Sequence, residues 1–481
     1  MRFLGYSKQT LLRAVLFFLL VYSAAHAFCF FNLTFANQSV ILNSNNGFGE
    51  RIASGQYLQG IYFRLRGGLA SPFFIGLLSG CCLLGACLLL GDTLGLHEPL
   101  WICSLIFCVV LHPALLTLHV NELIFSDATS MAILLLASGI WMSLRRGRIR
   151  LLCIPLLTVS LALEPVHLPL MVVILLLRVL REVQQDTLNP AHLGFSLLMC
   201  LLAVPLYFAG LMFFSRHFAI EIEAALQNPL SVSQGLLGPF VDYLHQASFY
   251  PRLAFLLRLA LLAAALVCFA ARTRPGRRLP SLLAVVLVLA ALYIPPFRSR
   301  YHVTLTYNAM AVDLLLLMLF ALSFPTVLPW QRIAAATVLC ALGTGFVVFA
   351  NQLYLKINLE YSSTLSLYTR ILDRLESTPG YVPGSTPVAI MGDPSRCPVI
   401  LHRTDFVHLD VIEGAKPDLI LTDENQTVWY LWAILGYPAN LVSEFEKDQI
   451  LASSEYERME IFPRTGCCRF IGDKLVVRIS E

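Results

Sequence analysis

The chain is interrupted eleven times by long apolar runs, and this pattern most limits its fold. The runs are Leu11–Phe31, Leu69–Leu90, Leu100–Leu118, Ala128–Leu144, Leu151–Leu163, Leu168–Leu180, Leu193–Ser215, Leu253–Ala271, Leu279–Ile294, Val303–Phe324 and Ile333–Ala350. A helix needs about 20 mostly apolar residues to cross a bilayer. Of the 481 residues 57% are hydrophobic and only 13% charged, against roughly 25% charged in soluble domains. The expected fold is therefore a polytopic α-helical membrane protein of about 11 spans. Leu151–Leu163 and Leu168–Leu180 are short, and form either two spans joined at Glu164-Pro165-Val166-His167 or a re-entrant hairpin; two spans is the preferred reading. A net charge of +4 implies no broad basic face, and nucleic acid is not an expected partner.

Basic residues test the count, because Lys and Arg collect in short cytoplasmic loops. With the N-terminus inside, "RRGRIR", "REVQQD" and "RTRPGRR" fall inside, with "GDTLGLHE" and "PTVLPWQR". The outside segments are residues 32–68, "HVNELIFSD", "EPVH", Arg216–Pro251 and "PFRSRYH". Of the basic clusters only Arg64/Arg66 and Arg298/Arg300 fall outside. A rival reading makes Met1–Ala27 a signal peptide cleaved after Ala25-His26-Ala27, although the apolar run continues to Phe31. Ten of the thirteen cysteines lie in or at the ends of apolar runs, where Cys behaves as a small hydrophobe. Cys397, Cys467 and Cys468 lie outside them and permit one disulfide, with Cys397 and one of the vicinal pair as the natural partners. No metal-ligand spacing of Cys and His is present, and no cofactor is expected.

Two domains are expected. Residues 1–351 form the membrane body, with a first outer loop at 32–68. Residues 352–481 form a small extracytoplasmic α+β domain, large enough for its own core. There, Leu353–Glu376 has helical spacing and is stopped by Ser377-Thr378-Pro379-Gly380. "PVAIMG" and "KLVVRIS" read as strands, and "TVWYLWAILG" as a short helix.

Ionisable groups at a membrane are costly and point to function. On this topology Glu50, Glu122, Asp127 and Glu164 face outward, with Asp313 deeper. Arg51, His119, His167, Arg298, Arg300, Tyr301 and His302 lie at the same level. A carboxylate within reach of an acceptor hydroxyl, beside guanidinium groups, suits transfer from a lipid phosphate. Each has a plainer reading. Glu122 and Glu164 also suit solvated loop ends, Asp127 a helix N-cap, Arg298 and Arg300 a place among head groups, and His112 a structural role. Asp92 and Glu98 lie on the other side. The first loop is the stronger signal. In "GERIASGQYLQGIYFRL", Glu50-Arg51 precede a glycine turn and an amphipathic helix whose apolar residues are Tyr57, Leu58, Ile61, Tyr62 and Leu65. Such a helix suits the interface, with Arg64 and Arg66 at the head groups.

This layout resembles the GT-C superfamily of membrane glycosyltransferases, and most closely the bacterial type II glucosyltransferases that decorate O-antigen. In that family an acidic pair, an Arg and a Gly-Arg follow the first span; here the matching positions are Asn45-Asn46, Arg51 and Gly55-Gln56. In the tail, "YTRILDRLES", "PVAIMG" and "MEIFPRTGCCRFIGDKLVVRIS" resemble the family's ending. The resemblance implies a multi-pass protein of the bacterial inner membrane with its C-terminal domain on the periplasmic side. It implies transfer of a hexose, glucose above all, from a polyprenyl-phosphate donor to a surface glycan or glycolipid, dependent on a donor synthase and a flippase. Glu50 is then the catalytic base. Arg51, Asn45, Asn46, Gln56, Glu122, Asp127, Glu164, His167, Arg298, Arg300 and Tyr301 form the substrate-binding set. The leaving group is already a phosphate, so the step needs no metal. Asn45-Asn46 cannot act as a base. Either Glu50 supplies the carboxylate from a shifted register, or the fold has lost catalysis. A lipid-linked glycan flippase and a non-catalytic interaction protein are the alternatives.

Overall fold

The computed structural model describes residues 4–32, 46–66, 71–145, 147–222, 244–245, 248–291, 303–400, 404–409, 427 and 430–480. Its helices are α1 (Lys8–Phe31), α2 (Asn46–Ala53), α3 (Tyr57–Leu65), α4 (Pro72–Leu94), α5 (Pro99–Val110), α6 (Pro113–Asn121), α7 (Ser126–Ser143), α8 (Cys153–Leu163), α9 (His167–Gln185), α10 (Pro190–Phe218), α11 (Pro251–Arg272), α12 (Arg278–Ala291), α13 (Val303–Ser323) and α14 (Pro329–Glu376). Beyond these come β1 (Pro387–Met391), β2 (Asn440–Leu441), α15 (Glu444–Leu451), α16 (Ser454–Glu457), β3 (Cys468–Ile471) and β4 (Lys474–Arg478).

The chain is a polytopic α-helical membrane protein with a small β-containing C-terminal unit. Among the described residues seven helical stretches are long and apolar enough to cross a membrane: Lys8–Phe31, Pro72–Leu94, Pro99–Asn121, Leu123–Ser143, Leu193–Phe218, Pro251–Arg272 and Pro329–Glu376. The other apolar runs also fold as helices. The 11 residues of α8 rise about 16 Å, half of a ~30 Å hydrocarbon core. α9 has 19 residues but carries Arg178, Arg181 and Glu182, and α12 has only 14.

Local chemistry sets several boundaries. Pro72, Pro99 and Pro251 open α4, α5 and α11, where the missing proline N–H has no helical partner to lose. The run at 100–118 is one expected helix but two observed ones. His112-Pro113 interrupts it, because Pro113 cannot donate into the preceding turn. The buried His112 ring then restarts the helix, its Nδ1 accepting from the Ala114 amide at 3.1 Å.

The chain divides into two compact units. The first takes in the described residues of 4–31, 47–119 and 123–351. At its centre α7 packs between α4 and α8, with α10 against α8 and α5 against α1. One end of this unit is laced by polar pairs. Asp92 accepts from Arg145 at 3.0 Å and from Trp141 Nε1 at 2.7 Å. Glu98 pairs with Arg332 at 2.6 Å, Asp186 pairs with Arg277, and Arg178 donates to the Thr93 carbonyl at 2.7 Å. All these residues lie in or beside the segments that the charge rule assigns to one side.

The second unit holds Asn32, Asn46, residues 120–122 and the described residues of 352–480. Its sheet has the order β2-β1-β4-β3, parallel at β1–β2 and β1–β4 and antiparallel at β3–β4. Ala389, Met391 and Val476 from the sheet pack with Val442, Ile450, Tyr456 and Met459. The helix expected at 353–376 is the continuation of α14, which runs unbroken for 48 residues. Cys397 and Cys467 are buried and Cys468 half-buried. All three are free thiols, so the anticipated disulfide is not formed.

Candidate functional site

The described part of the first loop, residues 46–66, folds as two short helices joined by a tight turn. Gly55 sits in that turn at φ +85°, a left-handed conformation natural to glycine. The turn is closed by Gln56 N–H donating to the Arg51 carbonyl at 2.7 Å, and the Gly55 carbonyl accepts from Tyr207 of α10 at 3.2 Å. α2 and α3 touch at Gly60, where a β-carbon would stand 2.7 Å from Phe48 Cδ2. Ile52 and Tyr57 are buried against Leu161 and Ala162 of α8 and Tyr207 and Leu211 of α10. The helix expected from Tyr57 is present, but the face it buries is Tyr57, Gln59 and Gly60, and Leu65 of the expected apolar stripe is exposed.

Two polar clusters pin these helices. In the first, Arg51 Nη1 donates to Gln56 Oε1 at 2.5 Å and Gln56 Nε2 donates to Glu164 Oε2 at 3.0 Å. All three are at least 95% buried. The Arg51 guanidinium also stacks on the Phe125 ring, 4.3 Å from its centroid. Gln56 suits this place because an amide accepts at one end and donates at the other. It thus links a cation to an anion; an arginine there would set a second cation beside Arg51.

The second cluster centres on Asp127, fully buried in the first turn of α7. Its Oδ2 accepts from Tyr62 at 2.6 Å and from Arg66, while Oδ1 accepts from the Ala128 amide at 2.9 Å. Arg66 also donates to the Ile124 carbonyl, and Gln59 reaches Thr129 Oγ1 at 3.2 Å. Arg66 is thus not among head groups, where the sequence reading put it. A buried carboxylate is stabilised far more by a guanidinium and a phenol than by none, and Asp127 draws Arg66 inward. Arg64 lies over the Phe48 ring at 3.7 Å.

The structure therefore joins Arg51, Gln56 and Glu164 in one chain of contacts and assigns Asp127 to a separate one. Glu50 is half-buried on α2 beside Arg51. His167 opens α9 three residues after Glu164, is fully buried, and donates its backbone N–H to the Glu164 carbonyl at 3.2 Å. Glu122 is buried and belongs to the second unit. Asn46 begins α2. Asn45, Arg298, Arg300 and Tyr301 lie outside the described residues.

Two further polar groups belong to neither cluster. His112 Nε2 lies 3.5 Å from Asp313 Oδ2; Nδ1 accepts from Ala114, which leaves Nε2 to carry the proton toward the carboxylate. His26 and His119, both buried, meet through their Nδ1 atoms at 3.3 Å, and His26 Nε2 lies 3.0 Å from the Val110 carbonyl. Their signal was a histidine inside an apolar run. Among the described residues no three His, Cys, Asp or Glu side chains group as a metal site. No family model, curated protein or solved structure matches the chain.

Proposed function

We propose that the chain is a GT-C-like membrane glycosyltransferase of the bacterial inner membrane, with eleven spans, the N-terminus inside and residues 352–481 outside. It moves a hexose, glucose by the resemblance, from a polyprenyl-phosphate donor to a hydroxyl of a surface glycan or glycolipid. One observation supports this reading above the others. The first-loop helices are fixed by buried polar contacts to two separate outer segments, at Glu164 and Asp127, and Glu50 is half-buried on the first of these helices. Burying ion-pairing groups is expensive, and preorganising a catalytic carboxylate is a use that offsets such a cost.

In the proposed step the Glu50 carboxylate takes the proton of the acceptor hydroxyl. The acceptor oxygen bonds to the anomeric carbon as the bond from that carbon to the phosphate oxygen breaks. The electron pair leaves on the polyprenyl phosphate, which Arg298 and Arg300 receive. Arg51 is buried and acts as a positioning residue: through Gln56 and Glu164 it holds the turn that ends α2, the helix that carries Glu50. His167 and Tyr301 complete the acceptor and donor contacts.

A second reading, a lipid-linked glycan transporter, draws support from Asp313 and Arg258, which line an intramembrane cavity beside His112. The discriminating experiment supplies membranes with a panel of polyprenyl-phosphate sugars and compares wild type, Glu50→Gln and Glu164→Gln. Transfer by wild type, abolished by Glu50→Gln at equal protein level, is expected. Transfer that survives Glu50→Gln but is lost in Glu164→Gln moves the base to Glu164. No transfer from any donor sinks the enzyme reading in favour of transport or a non-catalytic fold.

A further inference from the structure

Between α5, α11, α13 and the first part of α14 lies a cavity of about 430 Å³, within the ~300–1,000 Å³ range of small-ligand sites. It is elongated. On α13 its wall runs from Asp313 to just beyond the helix at Phe324, a rise of about 16 Å, close to half of a ~30 Å hydrocarbon core. On α14 the wall is longer, from Trp330 to Phe346, a rise of about 24 Å. Between its ends the lining is almost wholly aliphatic and aromatic.

The two ends differ. The inner end stops at Asp313 and Arg258, where apolar lining gives way to charge. The other end opens beside Trp101 and Trp330, and Trp330 is largely exposed, as expected of an aromatic ring at head-group level. Phe324 lines this mouth, and the Arg272 guanidinium lies over its ring at 4.8 Å. Arg272 and Arg274 are both exposed, and among the described residues no carboxylate pairs with either. Glu98 is also at this end but is paired with Arg332. An apolar slot long enough for an acyl chain, with the Arg272 guanidinium over its mouth and a second exposed arginine two residues further along the chain, matches an anionic amphiphile in both shape and charge.

We propose that this cavity is a binding site for one anionic phospholipid of the leaflet on the Arg272 side. One acyl chain fills the slot, and the phosphate sits at Arg272 and Arg274. The site lies outside the groups proposed for sugar transfer and does not depend on that reading.

The test uses the full-length protein, stripped of lipid in detergent and then offered phosphatidylglycerol, phosphatidylcholine or undecaprenyl phosphate, with retained lipid counted by native mass spectrometry. One phosphatidylglycerol per wild-type chain is expected, held at least tenfold more tightly than phosphatidylcholine. The double variant Arg272→Gln/Arg274→Gln, altered only on the surface, should lose that preference. Ala335→Trp, which fills the slot, should abolish retention while the protein stays monodisperse. Equal retention of both phospholipids overturns the proposal, as does phosphatidylglycerol binding that survives the arginine double variant. A preference for undecaprenyl phosphate overturns the phospholipid assignment. If Ala335→Trp does not fold, the arginine double variant alone decides.

Discussion

Replacing Asp127 with Ala should release α3 from the bundle. The Asp127 side chain is completely buried and that of Arg66 is 12% exposed; Tyr62 donates to the same carboxylate oxygen. The substitution strands a guanidinium and a phenol together, and breaking one side of a buried ion pair costs about 3–5 kcal/mol. At about 1.4 kcal/mol per tenfold, the undocked population rises by at least roughly a hundredfold. Arg64 and Arg66 are trypsin sites, and cleavage follows the open population when opening and closing are fast. Limited proteolysis in detergent, with the cut mapped by mass spectrometry, should show cleavage after Arg64 or Arg66 accelerated by about that factor. The triple variant Asp127→Leu/Arg66→Met/Tyr62→Phe removes all partners together and should cleave after Arg64 within about tenfold of wild type. Cleavage of Asp127→Ala within threefold of wild type would show that the pair carries no docking energy, and the reasoning would fail.

Three further outcomes are expected. Gly60→Val should separate α2 from α3, because its β-carbon meets Phe48 at 2.7 Å; a loss of about 1–3 kcal/mol, read by the same tryptic assay, should be relieved by adding Phe48→Ala, and no relief would point to another cause. Glu446 accepts from the Ser443 backbone amide at 2.9 Å in a capping box on α15, and these bonds, helped by Lys474, hold its carboxyl below the ordinary glutamate value. Its contribution is full above the unfolded value of about 4.3 and is lost as pH falls through the lower folded value, so thermal melts of Glu446→Gln and wild type should differ at pH 7 and converge once pH is below that folded value; a difference that persists in strong acid refutes the cap. Burial pushes the Cys397 and Cys467 thiols up, so N-ethylmaleimide at pH 7 should modify both only after unfolding; peptide mapping that finds either alkylated at the unfolded rate in the native protein contradicts that burial.

Much of the membrane body was legible because hydrophobic length is a local property. Among the described residues the apolar runs are largely helical, although the run at 100–118 is split in two and Ile333–Ala350 is only the first part of the 48-residue α14. The interruption at His112-Pro113 was not read, since apolarity continues through it and only the proline signals a break. In the tail, "PVAIMG" and "KLVVRIS" were recognisable because they are β-branched and bounded by turns. β2 escaped because two residues leave no period, and β3 because Cys468–Ile471 has no alternation of its own. At the candidate site the sequence offered candidate residues but not their pairings. Nothing local to Gln56 points to Glu164, and nothing local to Arg66 distinguishes a head group from Asp127. Such choices depend on which helices become neighbours.

The docking of the first-loop helices also has an order in time. Tyr62 and Arg66 precede Asp127 by 65 and 61 positions, and Gln56 precedes Glu164 by 108. At about 5–20 residues per second, residues 46–66 are synthesised some 5–20 seconds before Glu164. For that interval the glutamine and arginine lack the carboxylates that later hold them. The loop therefore has to wait in water, or with a chaperone, until α7 and the turn after α8 have been delivered. A chain that stalls between residues 66 and 127 would present this segment undocked, and quality-control proteases would meet it there first.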